Sequence, residues 1–316
     1  MDALVGFLNG PRARGAFLLR SVLDPPWSLR IRDEAPLTVM AVVRGTAWVA
    51  HDDDAPVELD AGDVAVIRGP EHYTVADSPT TPPQVVIHPG QLCTTPDGVN
   101  VADSMSQGVR TWGNNPDGST VLLTGTYEGA GEISRRLVDA LPHLVVLRDG
   151  EWDCPVIPLL AAEIGKDDFG QEAVLDRLLD LLVVAVLRAW FARPEARAPS
   201  WYSAHTDPIA GRALRLLHNN PAHPWTVGSL AGEVGVSRAA LARRFTELVG
   251  EPPMAFLTGW RLALAADLLL DPDATVGAVA RQVGYTSPFT FSTAFKRRYG
   301  SSPQAHRRNA VEAAAS

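Results

Sequence analysis

The sequence predicts an α+β protein of two unlike halves: an N-terminal antiparallel β-barrel followed by helices, and a C-terminal all-α domain of two helix-turn-helix units. Three observations carry this expectation. Short β-prone runs separated by turn residues occupy the chain from Ala16 to about Tyr127, and helical periodicity replaces them from Glu132 onward. The end of the chain then says nearly the same thing twice. Thr226, Val227 and Gly228 return as Thr275, Val276 and Gly277, and Ala231, Val234 and Gly235 return as Ala280, Val283 and Gly284. One residue out of step beyond the turn, Ser237, Phe245, Gly250 and Pro253 return as Ser287, Phe295, Gly300 and Pro303. A repeat with its Gly, Ser and Phe in register implies two copies of one supersecondary unit.

At 316 residues the chain is long enough for two separate cores. Its net charge of -8 conceals an asymmetry. Residues 205–316 hold 12 Lys and Arg against 8 Asp and Glu, a net +4, whereas residues 1–204 hold 16 against 28, a net -12. A basic tail suits contact with phosphates, and an acidic front half does not. Cys93 and Cys154 are too few for a secreted disulfide scaffold. The opening Met1, Asp2, Ala3 and Leu4 carry no basic segment of a signal peptide. The longest apolar run, Leu181 to Leu187, is too short to span a bilayer. A cytoplasmic protein without a membrane partner is expected.

Residues 1–14, with Leu4, Val5, Phe7 and Leu8, are expected to form a short amphipathic helix. Candidate strands follow at Phe17 to Leu19, Trp27 to Ile31, Leu37 to Val43, Thr46 to Ala50 and Val64 to Ile67. Gly45 marks a hairpin turn between two of them, and Asp52 to Asp54 a polar turn. Val85 to Ile87, Val109 to Trp112 and Thr120 to Tyr127 continue the sheet, interrupted by loops such as Asn114 to Gly118. Short strands at this spacing predict a barrel or sandwich. Ile133, Leu137, Val138 and Leu141 are spaced for one helix, and Pro155 to Ile164 suggests another. The strongest helical pattern is Gln171 to Phe191, where Leu175, Leu178, Leu179, Leu182, Val186 and Trp190 form a broad apolar stripe, expected in part to be a homodimer interface. Arg193 to Thr206 is Pro-rich at its start, lacks periodicity and reads as a linker. Asp207 to Asn219 opens the tail domain with Ile209, Ala213, Leu214 and Leu217 inward. The domain plan is therefore a barrel over residues 1–130, a helical segment over 131–192, a linker over 193–206, the paired units over 207–308 and a frayed end over 309–316.

Each tail unit has a physical reading. Thr226 is placed to cap a helix whose short apolar face is Leu230, Ala231 and Val234. Gly235 sits where a sharp turn between crossed helices needs positive φ. Ser237 caps the next helix, in which Leu241, Phe245 and Leu248 recur at i, i+4 and i+7 and so face inward. Ala239, Ala242, Arg243 and Thr246 then face out, flanked by Arg238 and Arg244. In the second copy Ser287 caps, Pro288 takes the first helical position, and Phe291 and Phe295 face in. That leaves Phe289, Ser292, Thr293 and Lys296 outward, with Phe289 suited to a thymine methyl. Between the copies, Pro252 and Pro253 open a helix to about Leu269, buried along Phe256, Leu257, Trp260, Leu264 and Leu268. At about 1.5 Å per residue it spans roughly 25 Å. Two reading helices so spaced can enter the major groove about one duplex turn apart, ~34 Å. Arg243 is the first candidate for a base edge, because a guanidinium pairs bidentately with guanine.

Residues 206–308 resemble the DNA-binding domain of the AraC/XylS family of bacterial transcription regulators. The matching stretches are Ser237 to Phe245, Val279 to Tyr285, Phe291 to Lys296, and Gly300 to Pro303 followed by Arg307. Thr293 stands where the family often carries arginine, which implies weaker base reading by the second unit. In the front half, Pro56 to Ile67 with Gly69 and His72 resembles the second half of a cupin motif. Metal-binding cupins need further His and Glu ligands; Met40 stands near the first expected His, so no metal and no cofactor is expected. Met40, Trp48 and His72 are instead candidates for lining a small-effector pocket in the barrel. A cupin-bearing branch of the family includes oxidant-responsive members, which makes Cys93, paired with Cys154, a candidate redox sensor. The resemblance implies a non-enzymatic, sequence-specific transcription regulator, expected to act as an activator, whose partners are double-stranded DNA, a small effector, RNA polymerase and a second copy of itself. The competing class is a metal-dependent cupin enzyme fused to a DNA-binding tail.

Overall fold

The computed structural model describes residues 16–314 apart from 53, 128–137, 153, 195, 197 and 272. It divides into two compact units, the second carrying the chain from Ala198 onward. The helix expected over residues 1–14, and most of the one expected through Ile133 and Leu137, lie outside the described residues.

Two sheets make up the first unit. One contains β1 (Ala16–Leu23), β3 (Leu37–Arg44), β6 (Val64–Arg68), β10 (Ser106–Gly108), β11 (Thr111–Trp112), β12 (Thr120–Tyr127) and β13 (Leu144–Leu147), in the order β10-β11-β1-β12-β3-β6-β13. The other contains β2 (Ser28–Ile31), β4 (Ala47–His51), β5 (Val57–Leu59), β7 (Tyr73–Ala76), β8 (Val85–His88) and β9 (Leu92–Thr94), in the order β5-β4-β7-β2-β8-β9. Side chains alternate as a pleated strand requires. In β4, Ala47, Val49 and His51 are buried while Trp48 and Ala50 are half-buried. The inner faces of both sheets close over one core that includes Trp27, Met40, Ile67, Tyr73, Trp112 and Leu122.

The structure corrects the sequence reading at several points. Most pairings are antiparallel as expected, but β1 pairs β11 and β2 pairs β8 in parallel. Strand direction across a long connection leaves no local pattern. Gly45 is not a hairpin turn: β3 pairs β12 and β6, whereas β4 pairs β5 and β7, so the chain changes sheets there. Its φ of 77° requires glycine, and a Cβ would meet the Ser119 carbonyl at 2.8 Å. Leu144–Leu147, in a stretch expected to be helical, is strand β13 on the edge of β6. A four-residue apolar run carries too little periodicity to separate the two states.

Helices α1 (Val156–Glu163) and α2 (Gln171–Phe191) follow as expected. The face α2 turns inward is Leu175, Leu179, Leu182, Val183, Val186 and Leu187, and Leu179 lies against Gly125 of β12 so closely that a Cβ there would meet it at 2.5 Å. Much of the stripe assigned to a dimer contact is thus buried within its own chain. Leu178 and Trp190 remain half-buried.

In the second unit, the end of the expected linker is folded. Helix α3 (Ser200–Ser203) and a 3-10 turn (Ala204–Thr206) precede α4 (Ala210–Asn219), and Ala204 is buried in the same core as Leu214 and Leu217. Trp201 and Tyr202, unusual in a linker, were the available signal. Helix α5 (Val227–Val234) starts at Thr226, whose hydroxyl accepts from the Ser229 N–H at 3.0 Å and forms a capping box with it. Ser237 caps α6 (Arg238–Val249). The connector α7 (Pro253–Leu268) turns Phe256, Leu257 and Trp260 into the core of the first helix-turn-helix copy and Leu262, Ala265 and Ala266 into that of the second copy. It is therefore buried on more than the single expected stripe, and Leu264 and Leu268 are only half-buried. Thr275 caps α8 (Val276–Gln282), Ser287 caps α9 (Pro288–Tyr299), and α10 (Pro303–Ala314) closes the unit. Residues 309–314, expected to fray, continue α10, in keeping with the helix propensity of Ala310, Ala313 and Ala314.

Candidate nucleic-acid interface

The two copies build the same turn with different tolerances. Gly235 and Gly284 both adopt positive φ, 82° and 88°. A Cβ at Gly235 would meet nothing within 4 Å, whereas one at Gly284 would lie 2.7 Å from Ala222 Cα and 2.9 Å from Arg261 Nη2. Glycine at 284 is thus fixed by crowding as well as by φ. The extra residue after it is Thr286, which lengthens the turn before the Ser287 cap and accounts for the slip in the repeat.

On α6, Leu241, Phe245 and Val249 are buried. On the opposite side Arg238, Ala239, Arg243 and Thr246 are exposed and Ala242 is half-buried, as the helical spacing predicts. The Arg238 and Arg243 guanidinium groups have no hydrogen-bond or ionic partner among the described residues, so both are available to an incoming polyanion. Arg244 behaves differently. Its Nε and Nη2 donate to Asp207 Oδ2 at 3.1 and 2.8 Å, and its Nη1 donates to Glu247 at 3.3 Å. Asp207 Oδ1 accepts from the Ile209 and Ala210 N–H groups at 2.9 and 2.8 Å. Burial pushes the Asp207 carboxyl up, but these hydrogen bonds and the Arg244 charge hold it below the usual carboxylate range. Arg244 is therefore a clamp between α6 and the start of α4, a role that spacing along one helix could not reveal.

On α9, Phe291 and Phe295 are buried, Phe289 is 82% exposed, Thr293 and Lys296 are exposed and Ser292 is half-buried. The Ser292 and Thr293 hydroxyls donate to the Pro288 and Phe289 carbonyls at 2.8 and 3.0 Å. Their protons are thus used within the helix, and the oxygens remain as acceptors. Lys296 has no partner among the described residues. Among the expected contact residues the second face offers one cation, two acceptors and an exposed ring, while the first offers two guanidinium groups without a partner among the described residues.

Of the candidate effector residues, Met40 is 2% exposed in the packed core between the sheets. Trp48 alternates with Val49 and His51 and so projects from the other face of β4. His72 lines a cavity of about 440 Å³ with His51, Asp54, Glu71 and His143. The structure does not bring the three residues together. His51 is 7% exposed, its Nε2 has no hydrogen-bond partner among the described residues, and its ring stands edge-on to His143 at 5.9 Å. Burial, with His143 adding to it, holds the His51 pKa below its ordinary value. Sequence reasoning missed this cluster because His143 lies far along the chain.

The Gly62 and Asp63 of the cupin-like stretch serve the fold. Asp63 is 2% exposed and accepts from the Asp60 and Asp149 N–H groups at 3.0 and 2.8 Å and from Arg148 Nη1 at 2.7 Å. The metal that the cupin resemblance implies does not fit these residues: Met40 is locked in the core, and among the described residues no group of three or more His, Cys, Asp or Glu is placed to hold an ion. Cys93 is half-buried, donates from Sγ to the Gln91 carbonyl at 3.4 Å, and is pushed up in pKa by burial. Neither it nor Cys154 forms a disulfide.

Residues 2–192 match the cupin family, and residues 230–309 match a helix-turn-helix domain. The chain is 33% identical over 314 residues to the HTH-type transcriptional regulator AlkR of Acinetobacter baylyi, covering 97% of this chain and 99% of that protein. It is 29% identical over 317 residues to a putative AraC-like transcription regulator of Streptomyces lividans, covering 98% and 99%. Among solved structures, it is similar to the DNA-binding domain of AdpA, a global transcriptional factor crystallised with a target DNA, at 34% identity and a TM-score of 0.31, over 33% of this chain and 93% of that one. Full-length matches to such relatives, together with a cupin half joined to the duplicated capped helix pair, place this chain in the family of AraC-like transcription regulators.

Proposed function

We propose that the protein recognises a specific operator by laying α6 and α9 in successive major grooves, and that its cupin half adjusts this binding in response to a small molecule. The observation that carries the reading is the pair of capped helices, held apart by α7, whose outward faces present the exposed Phe289 and Arg238, Arg243 and Lys296, whose charged groups have no partner among the described residues. Arg243 is assigned to a base edge. Arg238 and Lys296 are assigned to phosphates near the helix starts and ends, and Phe289 to a thymine methyl. Ala239 and Ala242 allow close approach to the bases, and Thr246, Ser292 and Thr293 supply hydroxyl contacts. Control is then exerted on RNA polymerase at the bound promoter, and the protein works in the cytoplasm.

A small molecule is favoured over a redox signal because burial of Cys93 withholds the thiolate that oxidants attack. The effector contact is placed at His72, in the cavity it shares with His51 and His143. Self-association is placed on the outer face of α2, where Val174 and Leu181 are 45% and 51% exposed. With Leu178 and Ala185 they follow the alternating four- and three-residue spacing of a coiled-coil seam.

The test is selection of duplexes from a random pool by the full-length protein, followed by anisotropy titrations across a salt series. A recovered sequence carrying two motifs about one helical turn apart, ~10 base pairs, supports the reading. Recovery of no sequence preference at moderate salt by folded protein overturns it.

A further inference from the structure

A second cavity, of about 270 Å³, opens on the outer face of the first sheet, away from the core and away from His72, and is lined in part by Arg20, Val22, Gln107, Thr111 and Gly165. Its construction follows from β1. Leu19 and Leu23 turn into the core between the sheets, so Arg20 and Val22 face the other way. Arg20 pairs in register with Thr111 of β11 and Leu123 of β12, which fixes the base of its side chain in the middle of the sheet. A half-buried guanidinium in such a place ordinarily meets a carboxylate. Among the described residues this one has neither an ionic nor a hydrogen-bond partner.

Its neighbours sharpen the chemistry. Gln107 Oε1 is buried and without a hydrogen-bond partner. The Thr111 hydroxyl donates to the Val109 carbonyl at 2.9 Å, which leaves its oxygen as an acceptor only. A Cβ on Gly165 would lie 3.9 Å from Arg20 Nη1, so the glycine keeps the space beside the guanidinium open. The cavity thus offers one fixed cationic fork and one uncommitted carboxamide, with Val22, Val109 and Pro116 as apolar wall. An Arg fork matches the two oxygens of a carboxylate. A half-turn of the Gln107 amide brings its N–H groups to the same anion. One guanidinium balances one negative charge, and a dianion would leave the second uncompensated. The volume is close to the lower bound for small-ligand sites, about 300 Å³.

We propose that this cavity binds a small monocarboxylate with a compact apolar body, its carboxylate held by Arg20 and Gln107. The site belongs to a different unit from the DNA-reading helices and shares no lining residue with the histidine-lined cavity, so binding here is measured without reference to an operator.

The experiment is calorimetric titration of the full-length protein with cyclohexanecarboxylate, with cyclohexanecarboxamide as the uncharged isostere and inorganic phosphate as a carboxyl-free anion. Saturable binding of the carboxylate is expected, with the carboxamide and phosphate each weaker by more than about tenfold. Arg20→Met should weaken the carboxylate by more than about tenfold without changing the melting midpoint, because the guanidinium has no partner among the described residues to lose. Gln107→Ala should weaken it several-fold and leave the carboxamide nearly unaffected. Equal binding of carboxylate and carboxamide, equal or tighter binding of phosphate, or no carboxylate binding by folded wild-type protein overturns the proposal. If Arg20→Met fails to fold, the wild-type comparison and Gln107→Ala decide it.

Discussion

Arg243 and Arg244 are adjacent in sequence and alike in chemistry, yet their surroundings predict opposite phenotypes. The exposed Arg243 guanidinium has no ionic or hydrogen-bond partner among the described residues, so Arg243→Ala should leave the melting midpoint unchanged. If its guanidinium pairs with a guanine edge, the loss is about 1–3 kcal/mol, a factor of roughly 5 to 150 in affinity, confined to duplexes that keep the preferred base at one position. Arg244 already spends three N–H groups on Asp207 and Glu247. Its pair with Asp207 steadies the carboxylate that accepts from the Ile209 and Ala210 N–H groups at the start of α4, so its loss loosens α6 from α4. Arg244→Ala should therefore lower the melting midpoint and change DNA affinity little at temperatures where the protein stays folded. The assay is anisotropy against a selected operator and its single-position variants, repeated across a salt series. A uniform loss for Arg243→Ala at every sequence, with the salt slope reduced by about one, would reassign that residue to a phosphate. Relaxed base preference with intact stability in Arg244→Ala would refute its role as a clamp between α6 and α4.

Three further outcomes follow from the same structure. Asp63 is held below the usual carboxylate range: burial opposes this, but the Asp149 and Asp60 N–H groups and Arg148 outweigh it. A depressed carboxyl stabilises the fold above its unfolded value, near ~4, and that contribution is lost as pH falls through the folded value. Asp63→Asn should cost about 3 kcal/mol at neutral pH and lose less than wild type on acidification, as read from melting midpoints; equal acid sensitivity would remove Asp63 from this role. Gly235→Ala meets only the cost of positive φ, about 1 kcal/mol, whereas Gly284→Ala adds a backbone clash and should exceed ~3 kcal/mol in urea unfolding. Equal penalties would contradict the crowding at Ala222. Replacing Val174 and Leu181 together by Asp should convert a dimer to a monomer in sedimentation without loss of fold, since both side chains are exposed. A wild-type chain that is monomeric at micromolar concentration, with and without DNA, refutes the α2 seam.

What the sequence made legible was what repeats at short range. The caps at Thr226, Ser237 and Ser287, the turn glycines and the inward Leu241, Phe245, Phe291 and Phe295 all obey local rules, and the structure has each in its expected state; Thr275, the repeat of Thr226, caps its helix likewise. The misses share a different character. Gly45 looked like a hairpin because a turn residue between two strands does not announce that those strands join different sheets. The α2 stripe was expected to meet a second copy only in part, and periodicity along one helix could not say which part: Leu175, Leu179, Leu182 and Val186 are buried within the chain, while Leu178 and Trp190 are half-buried. His51 and His143, like Arg244 and Asp207, meet across stretches of chain over which no spacing rule operates.

The connector shows how such long-range contacts bear on function. A helix of 16 residues, about 24 Å long, sets the distance between two reading helices but not their rotation about its axis. Rotation is fixed by what the helix touches at each end. Arg261, in the middle of α7, donates from Nε to the Pro221 carbonyl at 2.7 Å and from Nη2 to the His223 carbonyl at 2.8 Å, pinning the loop that leads into α5. The same Nη2 lies where a Cβ on Gly284 would intrude, at the turn of the second unit. One side chain therefore touches the entry to the first helix pair and the elbow of the second. Two grooves of one duplex can be read together only if both faces hold a common phase, and this contact couples them. The repeat supplies two readers; Arg261 and the glycine that makes room for it supply their registration.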